Sequence, residues 1–208
     1  MQVENDANFA TLAEAREGSA RDLTSFLYFL MNSEKRGDHY VIYSLGSTLF
    51  LGGRLYRGTH YGAGEIDALL DSQPQGKVTA KQLNQLAKPD GPLTEDLRQM
   101  AKHIAATLTA MVDLIDPQAV IHGGNVAINN RRMVEAIQTE VNNQIVPLPN
   151  RSIMIRPSLL LDQGVSMGAA IAAVDAAVLG EGDVILSPRI INGASATGDN
   201  HSRSTALA

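Results

Sequence analysis

The sequence predicts an α/β domain, a mixed sheet of about five strands with helices on its faces. Two observations support this fold class. Short apolar runs between residues 39 and 57, separated by glycines, indicate antiparallel strands joined by tight turns. From residue 94 onward, apolar residues at helical spacing alternate with short β-branched runs. Strands that alternate with helices add in parallel through right-handed crossovers, so the sheet should be mixed.

Residues 1–36 are predicted to form a helical segment. An alanine-rich stretch favours a helix from residue 7, with Asp6 at the N-cap position. Gly18-Ser19 interrupts this pattern. Apolar residues from Leu23 to Met31 then resume it at spacings of three and four, which extends the predicted helix to residue 33.

Three strands are expected over residues 39–57. Apolar runs at 40–45 and 48–51 are separated by Gly46-Ser47. Gly52-Gly53 then predicts a two-residue hairpin turn, because both glycines tolerate positive φ. A short third strand and a glycine-rich loop follow.

The later elements are predicted from apolar periodicity and from the positions of proline and glycine. Residues 71–92 are mostly loop, and residues 180–208 have the polar composition of a disordered tail. This leaves residues 37–179 as the α/β lobe. Its remaining predicted elements are a short helix at 80–87, a long helix from Thr94 to Pro117, a strand at 119–122, a helix at 130–145, a strand at 152–155 and a small-residue helix at 165–174.

The composition excludes several classes of protein. The chain of 208 residues contains no cysteine, which rules out disulfides, thiolate metal sites and cysteine nucleophiles. The net charge is −5 and no basic run suggests binding to nucleic acid or to a membrane surface. No apolar run approaches the roughly 20 residues that cross a bilayer. We therefore expect a cytoplasmic protein without a membrane partner.

Four short stretches, in this order, carry a family resemblance. They are residues 4–15, with Asn5-Asp6-Ala7-Asn8; residues 53–66, with Gly64-Glu65-Ile66; residues 116–124, ending in Gly123-Gly124; and residues 164–173. Together they resemble the ROK family (repressors, open reading frames and sugar kinases) over residues 2–176. The resemblance implies the carboxy-terminal lobe of the actin-like ATPase fold, which is ribonuclease H-like.

The resemblance also implies a ligand class and roles for individual residues. ROK kinases phosphorylate hexoses and amino-hexoses with ATP and Mg²⁺, and ROK repressors bind similar sugars and carry an amino-terminal helix-turn-helix. By this resemblance Asp6 is the catalytic base, Asn5 and Glu65 bind sugar hydroxyls with it, and Gly46, Gly123 and Gly124 border the nucleotide. A carboxylate in reach of a hydroxyl can take its proton as phosphoryl transfer proceeds.

The sequence also departs from the family pattern. It begins at the sugar-site Asn-Asp, so the amino-terminal Asp-x-Gly phosphate hairpin and the repressor helices do not precede it. The second phosphate loop, Gly-Thr-Gly-x-Gly-x-Gly in the family, has Leu45-Gly46-Ser47-Thr48-Leu49 as its counterpart. Ala68 replaces a histidine that binds sugar and zinc, and residues 72–77 lack the zinc-binding cysteines. We therefore expect no zinc.

Three functions remain open from the sequence. The first is a truncated or degenerate sugar-binding protein, regulator-like and not catalytically competent alone. The second is an ATP-dependent hexose or N-acetylhexosamine kinase, glucokinase-like, which would need ATP, Mg²⁺ and the missing lobe. The third is a structural or oligomerisation module without a ligand. We expect a homo-oligomer, and a DNA partner only if a helix-turn-helix lies upstream.

Overall fold

The computed structural model describes residues 5–37, 39–66, 77–86, 88, 90–124 and 130–179. The predicted tail at 180–208 and the position of Ala68 lie outside them. The elements are α1 (Asp6–Glu17), β1 (Phe26–Arg36), β2 (His39–Leu51), β3 (Arg54–Tyr56), β4 (Lys77–Thr79), α2 (Ala80–Leu86), α3 (Glu95–Ile115), β5 (Ala119–Gly123), α4 (Arg131–Gln144), β6 (Met154–Pro157), a 3₁₀ turn (Leu161–Gln163) and α5 (Gly164–Leu179).

The sheet is mixed, as the sequence predicts. Its strand order is β3-β2-β1-β5-β6, and β4 pairs with the far end of β2 as a sixth strand. The first three strands form an antiparallel meander. Strands β5 and β6 add in parallel beside β1, each after a helix. The central strand β1 therefore joins the meander to the parallel half.

The predicted continuation of the first helix through residues 23–33 is wrong, because Phe26–Arg36 forms β1. Every side chain from Phe26 to Met31 is buried. A central strand covered on both faces shows a continuous apolar run without alternation, and this run also satisfies helical spacing. Within the predicted helical segment 1–36, the helix ends at Glu17, a turn region follows at residues 18–25, and Phe26–Arg36 enters the sheet.

The predicted break at Gly46-Ser47 is also wrong. Strand β2 runs unbroken from His39 to Leu51 and pairs with β1 from Phe26↔Phe50 to Arg36↔His39. The hairpin turn at Gly52-Gly53 is confirmed, with φ values of 59° and 80°. The meander thus has three strands, but β1 takes the place of the first one predicted.

Helices α2, α3 and α4 begin and end within two residues of their predicted limits, and the caps of α3 and α4 are visible in the sequence, whereas α5 continues to Leu179, five residues beyond its predicted end. The Thr94 hydroxyl accepts from the Leu97 amide, and the Asn130 side chain accepts from the Met133 amide. Asp116 ends α3 in the left-handed conformation, one residue before Pro117. No helix among the residues described above is long and apolar enough to cross a membrane.

Two apolar layers cover the faces of the sheet. Helices α3 and α4 pack on one face, where Leu108, Val112 and Ile137 meet Leu27, Phe29 and Val120. Helix α1 packs on the other face, against Tyr28, Phe50 and Ile121. Helix α5 approaches α1 so closely that a Cβ on Gly168 would lie 1.7 Å from the Phe9 carbonyl oxygen. Only glycine fits this contact, which holds α1 between the sheet and α5.

Side chains from α4 cover the outer edge of β6. The Ile153 and Ile155 amides donate to Asn142 Oδ1 at 2.7 Å and to Gln138 Oε1 at 2.9 Å. Asn142 Nδ2 in turn donates to the Ile153 carbonyl at 2.9 Å. These bonds occupy groups that another strand would use, so the edge is protected from further pairing.

Candidate functional site

The first candidate residues lie at the amino terminus of α1. Asn5 is the N-cap, and its Oδ1 accepts from the Ala7 amide at 2.9 Å. Asp6, which the sequence placed at the cap, is instead the first helical residue, and its Oδ1 accepts from the same amide at 2.8 Å. Both side chains are exposed, whereas Ala7 is buried in the core. The buried alanine therefore sets the helix so that two polar side chains remain in solvent.

The loop at residues 57–66 carries the third candidate residue, Glu65. The Ser47 amide and hydroxyl of β2 donate to the Gly64 carbonyl at 3.1 and 2.8 Å. Gly64 has a φ of 90°, and a Cβ there would lie 2.1 Å from the Ser47 carbonyl oxygen. Only glycine permits this approach. The contact fixes the backbone directly before Glu65.

The two predicted sugar-site segments meet in the structure. Asn5 Nδ2 donates to Glu65 Oε1 at 3.0 Å, across 60 residues of sequence. The Thr48 hydroxyl also donates to Asn8 Oδ1 at 3.0 Å, which joins β2 to the first turn of α1. Asn5, Asp6 and Glu65 are all exposed. An amide and two carboxylates are thus presented to solvent beside one another.

This group of side chains is suited to neutral polyhydroxylated ligands. Asparagine offers both donors and an acceptor, and ionised carboxylates offer acceptors to hydroxyl groups. Charge-assisted hydrogen bonds of the O–H···O⁻ type are short and comparatively strong. The Asn5–Glu65 bond also restricts both side chains before any ligand arrives, which lowers the entropy lost on binding.

Gly46 lies in a regular strand, within the stretch at residues 45–49 that the sequence gives as a departure from the family's second phosphate loop. Gly46 stands opposite Leu30 in the β1–β2 ladder. The Ser47 amide points away from β1, towards Gly64. Successive residues of an antiparallel strand direct their amides to opposite sides, so the Gly46 amide points into the ladder. Since a phosphate cradle needs several free, converging amides, this stretch does not fit a nucleotide phosphate.

Gly123 and Gly124 are both explained by packing against β1. A Cβ on Gly123 would lie 1.9 Å from the Tyr28 hydroxyl oxygen. Gly124 has a φ of 106°, and a Cβ there would lie 2.1 Å from the Met31 carbonyl oxygen. The fold requires glycine at both positions whether or not a nucleotide binds. Their contact with adenosine stays a prediction.

His122 is buried directly before these glycines. Its ring lies 6.0 Å from the ring of Phe29, and its Nε2 has no hydrogen-bond partner among the residues that the structure describes. Burial lowers the pKa of His122 to about 4. The imidazole is therefore neutral near pH 7. It belongs to the apolar layer under the end of β5 and is not a surface acid or base.

Glu14 is a polar residue whose importance the sequence did not reveal. It lies on α1, eight positions after Asp6, and is 0% exposed. Its carboxylate accepts four hydrogen bonds, from Ser19 N and Oγ, Ser158 Oγ and Leu160 N. The sequence does not distinguish a buried glutamate in a helix from an exposed one. The only signal here is that the apolar residues Leu12 and Ala13 directly precede Glu14.

No metal centre is found in the part of the chain that the structure describes. Within residues 5–37, 39–66, 77–86, 88, 90–124 and 130–179, no three His, Asp or Glu side chains are close enough to share a metal ion. Of the segment that replaces the family's zinc loop, residues 72–76 lie outside these ranges, and Lys77 begins β4.

Comparison with known families decides the relationship. The model of the ROK family matches residues 66–176, more than half of the chain. The chain belongs to the ROK family. The matched region contains Gly123 and Gly124, whereas Glu65 lies directly before it and Asn5 lies further outside it.

Solved ROK structures share the fold. The ROK hexokinase of Thermus thermophilus matches with a TM-score of 0.58 and 24% identity, over 81% of this chain and 64% of its own. A ROK glucokinase of Streptomyces griseus, solved with glucose and AMPPNP, matches with a TM-score of 0.60 and 19% identity, over 81% and 66%. A ROK transcriptional regulator homologous to the E. coli MLC protein matches with a TM-score of 0.58 and 15% identity, over 81% and 50%.

These matches define the fold and its extent. The chain spans less than two thirds of the length of the kinases and half the length of the regulator. Among curated proteins, none matches the chain. The actin-like fold assigned from the sequence is confirmed, because kinases and a regulator share the same lobe.

Proposed function

We propose that this chain is a sugar-binding, regulator-like ROK protein that does not phosphorylate sugar by itself. The observation that carries the proposal is the hydrogen bond of 3.0 Å between Asn5 Nδ2 and Glu65 Oε1. It brings two segments of the family's sugar site together with the adjacent carboxylate of Asp6. A hexose or amino-hexose is the proposed ligand, and a cytoplasmic location remains part of the proposal.

The ligand class follows from the chemistry of the three side chains. A pyranose presents several hydroxyls at fixed angles, which two carboxylates and one amide can bind as acceptors and donors. Related structures support the same class. The Streptomyces griseus glucokinase was solved with glucose, and a ROK protein of Streptococcus pneumoniae was solved with sucrose.

The absence of independent kinase activity is proposed from the β1–β2 ladder. Phosphoryl transfer depends on groups that hold and neutralise the phosphates of ATP. In this chain the backbone from Phe26 to Leu30 pairs with residues Gly46 to Phe50, and the Ser47 amide donates to the Gly64 carbonyl, so this stretch does not offer a row of free amides to a phosphate. Asp6 could act as a base only together with further protein segments that bind ATP and Mg²⁺.

Two alternatives are favoured by separate observations. The kinase alternative is favoured by Asp6, because an exposed carboxylate next to Asn5 is where a base for a sugar hydroxyl should lie. The oligomerisation alternative is favoured by α5, where Val174 and Val178 are 59% and 75% exposed. Such an apolar helix face is often covered by another protein surface. A homo-oligomer remains our expectation.

Titration calorimetry with glucose, N-acetylglucosamine, N-acetylmannosamine and ATP tests the proposal. We expect one of the sugars to bind the wild type, and Asn5→Ala and Glu65→Gln to weaken that binding by at least about tenfold. Glu135→Gln is the matched control, since Glu135 is an exposed carboxylate on α4. Failure of all three sugars to bind would contradict the proposal. Transfer of phosphate from ATP to sugar by the chain alone would support the kinase instead.

A further inference from the structure

Glu14 connects three segments of the chain through one buried carboxylate. Its Oε2 accepts from the Ser19 amide at 2.7 Å and from the Ser19 hydroxyl at 2.9 Å, in the turn that leads to β1. Its Oε1 accepts from the Ser158 hydroxyl at 2.5 Å and from the Leu160 amide at 3.0 Å, in the loop between β6 and α5. The side chain is fully buried. All four donors are neutral groups.

The surroundings are shaped to receive this carboxylate. A Cβ on Gly18 would lie 2.0 Å from Glu14 Oε2, so the carboxylate occupies the space above the glycine. The Ser158 amide also donates to the His122 carbonyl at 2.7 Å. Ser158 therefore joins Glu14 to the end of β5, next to Gly123. Burial, and after it the charge of Glu14, raise the pKa of Tyr28, whose hydroxyl lies against the same glycine.

A buried carboxylate is a costly way to fill this position. A charge removed from water destabilises the fold unless hydrogen bonds replace its hydration. An aliphatic side chain would fill the same volume at a lower desolvation cost. Unlike aliphatic packing, the four directional hydrogen bonds to the Glu14 carboxylate define the position of α1 along and around its axis.

Glu14 is one of several contacts that hold α1, since Thr48 donates to Asn8 and Arg16 pairs with Asp175. Apart from Glu14, the buried face of α1 consists mainly of small side chains, Ala7, Ala10 and Ala13, with Thr11 and Leu12. Such smooth surfaces interdigitate weakly, so they allow a helix to slide or rotate with little loss of contact. Asn5 and Asp6 lie at the other end of α1, about 12 Å from Glu14 along the axis. Because a helix is stiff over this distance, a shift at Glu14 reaches them undiminished.

We propose that Glu14 is a positioning residue, whose four hydrogen bonds set the axial position of α1 and so hold Asn5 against Glu65. Its effect on ligand binding rests on the proposed sugar-binding function. Its effect on the Asn5–Glu65 geometry does not, so the two ideas can fail separately.

The test compares Glu14→Gln with Asp175→Asn by nuclear magnetic resonance. In Glu14→Gln an amide group faces donors that need an acceptor, so the helix end must move. Asp175→Asn removes the 2.7 Å ion pair between Asp175 and Arg16 at the α1–α5 contact and leaves the Glu14 bonds intact. The probes are the Asn5 side-chain amide and the Ala7 backbone amide, which report the N-cap directly.

We expect Glu14→Gln to shift both resonances and to weaken glucose binding by about tenfold or more, since small displacements at a site are costly. Asp175→Asn should lower the melting temperature and leave both resonances in place. If Glu14→Gln lowers the melting temperature but leaves Asn5, Ala7 and glucose affinity unchanged, Glu14 is only structural and the proposal is overturned.

Two further outcomes keep the test decisive. If Glu14→Gln does not fold, Ser158→Ala keeps the carboxylate and removes one of its four donors, together with the acceptor of the Leu161 amide, and it must shift the same resonances by a smaller amount. Unmoved resonances in Ser158→Ala would then refute the positioning role. If the wild type binds no glucose, that result counts against the sugar-binding proposal. The resonance shifts of Asn5 and Ala7 still test the positioning role of Glu14.

Discussion

The regions predicted to bind sugar and nucleotide differ in structure in this chain. At the predicted sugar end, Asn5, Asp6 and Glu65 are exposed, and two of them are joined by a hydrogen bond. At the predicted nucleotide end, Gly46 pairs within a strand ladder, and Gly123 lies against Tyr28. Polar side chains in solvent remain free to bind a ligand, whereas glycines packed against protein atoms do not. Glycine motifs therefore need a structure before they can be assigned to a ligand.

The largest expected effect tests whether the nucleotide end is built for packing. Gly124→Ala introduces a Cβ 2.1 Å from the Met31 carbonyl oxygen at a φ of 106°. We expect a loss of about 3 kcal/mol in the free energy of unfolding, from overlap and from the strained backbone together. Urea unfolding without nucleotide measures it. Gly62→Ala is the control, because none of the described residues other than its chain neighbours has an atom within 4 Å of the new Cβ.

If the whole expected loss of about 3 kcal/mol is measured in the absence of ATP, packing alone explains why residue 124 is glycine. If Gly124→Ala is as stable as Gly62→Ala, the strand end can adjust, and the glycine would have to be explained by a ligand.

The next effect concerns pH at the same end of the sheet. Burial lowers the pKa of His122 from 6.5 to about 4, so between these values the unfolded chain binds a proton that the folded chain does not. Stability should therefore fall as the pH decreases through this window, by up to about 3 kcal/mol. Chemical unfolding between pH 7 and pH 4 measures the dependence for wild type and His122→Leu. An equally steep dependence in both proteins would show that His122 is not its source.

Much of the fold was predictable, and the exceptions share a physical cause. Thr94, Pro117 and Asn130 mark helix ends by local chemistry, so α3 and α4 were placed correctly. Strand β1 was missed because burial on both faces removes the alternation that identifies a strand. The predicted strand break at Gly46 was wrong for a related reason, since a glycine within a strand has the same sequence pattern as the start of a loop.

The candidate site was predicted only in part. A family resemblance pointed to Asn5 and Glu65, and the structure places them in contact. Glu14 could not be found in this way, because its role depends on Ser158 and Leu160, more than 140 residues away in sequence. Hydrogen-bond partners at such separations leave no local pattern.

A smaller effect is expected where the sugar end is attached to the sheet. Ser47→Ala removes the 2.8 Å bond from the hydroxyl to the Gly64 carbonyl, while the backbone bond at 3.1 Å remains. We expect a loss of about 1 kcal/mol in the free energy of unfolding, and weaker sugar binding because Glu65 is less firmly held. Ser166→Ala is the control, an exposed serine on α5. Unchanged sugar affinity in Ser47→Ala would show that Glu65 does not depend on this attachment.

The smallest effect should be a gain in stability within the same loop. Tyr61 has a φ of 59° and is 72% exposed, so its side chain adds left-handed strain without much burial. Tyr61→Gly relieves that strain, which costs about 1–2 kcal/mol, but increases the entropy of the unfolded chain. The net gain should be about 0.5–1 kcal/mol, measured by urea unfolding. A destabilised Tyr61→Gly would mean that the ring makes contacts that outweigh the strain. If the variant is stabilised and also binds sugar less well, the strained backbone at Tyr61 serves ligand binding. The predicted sugar end would then be adapted to a ligand in its backbone as well as in its side chains.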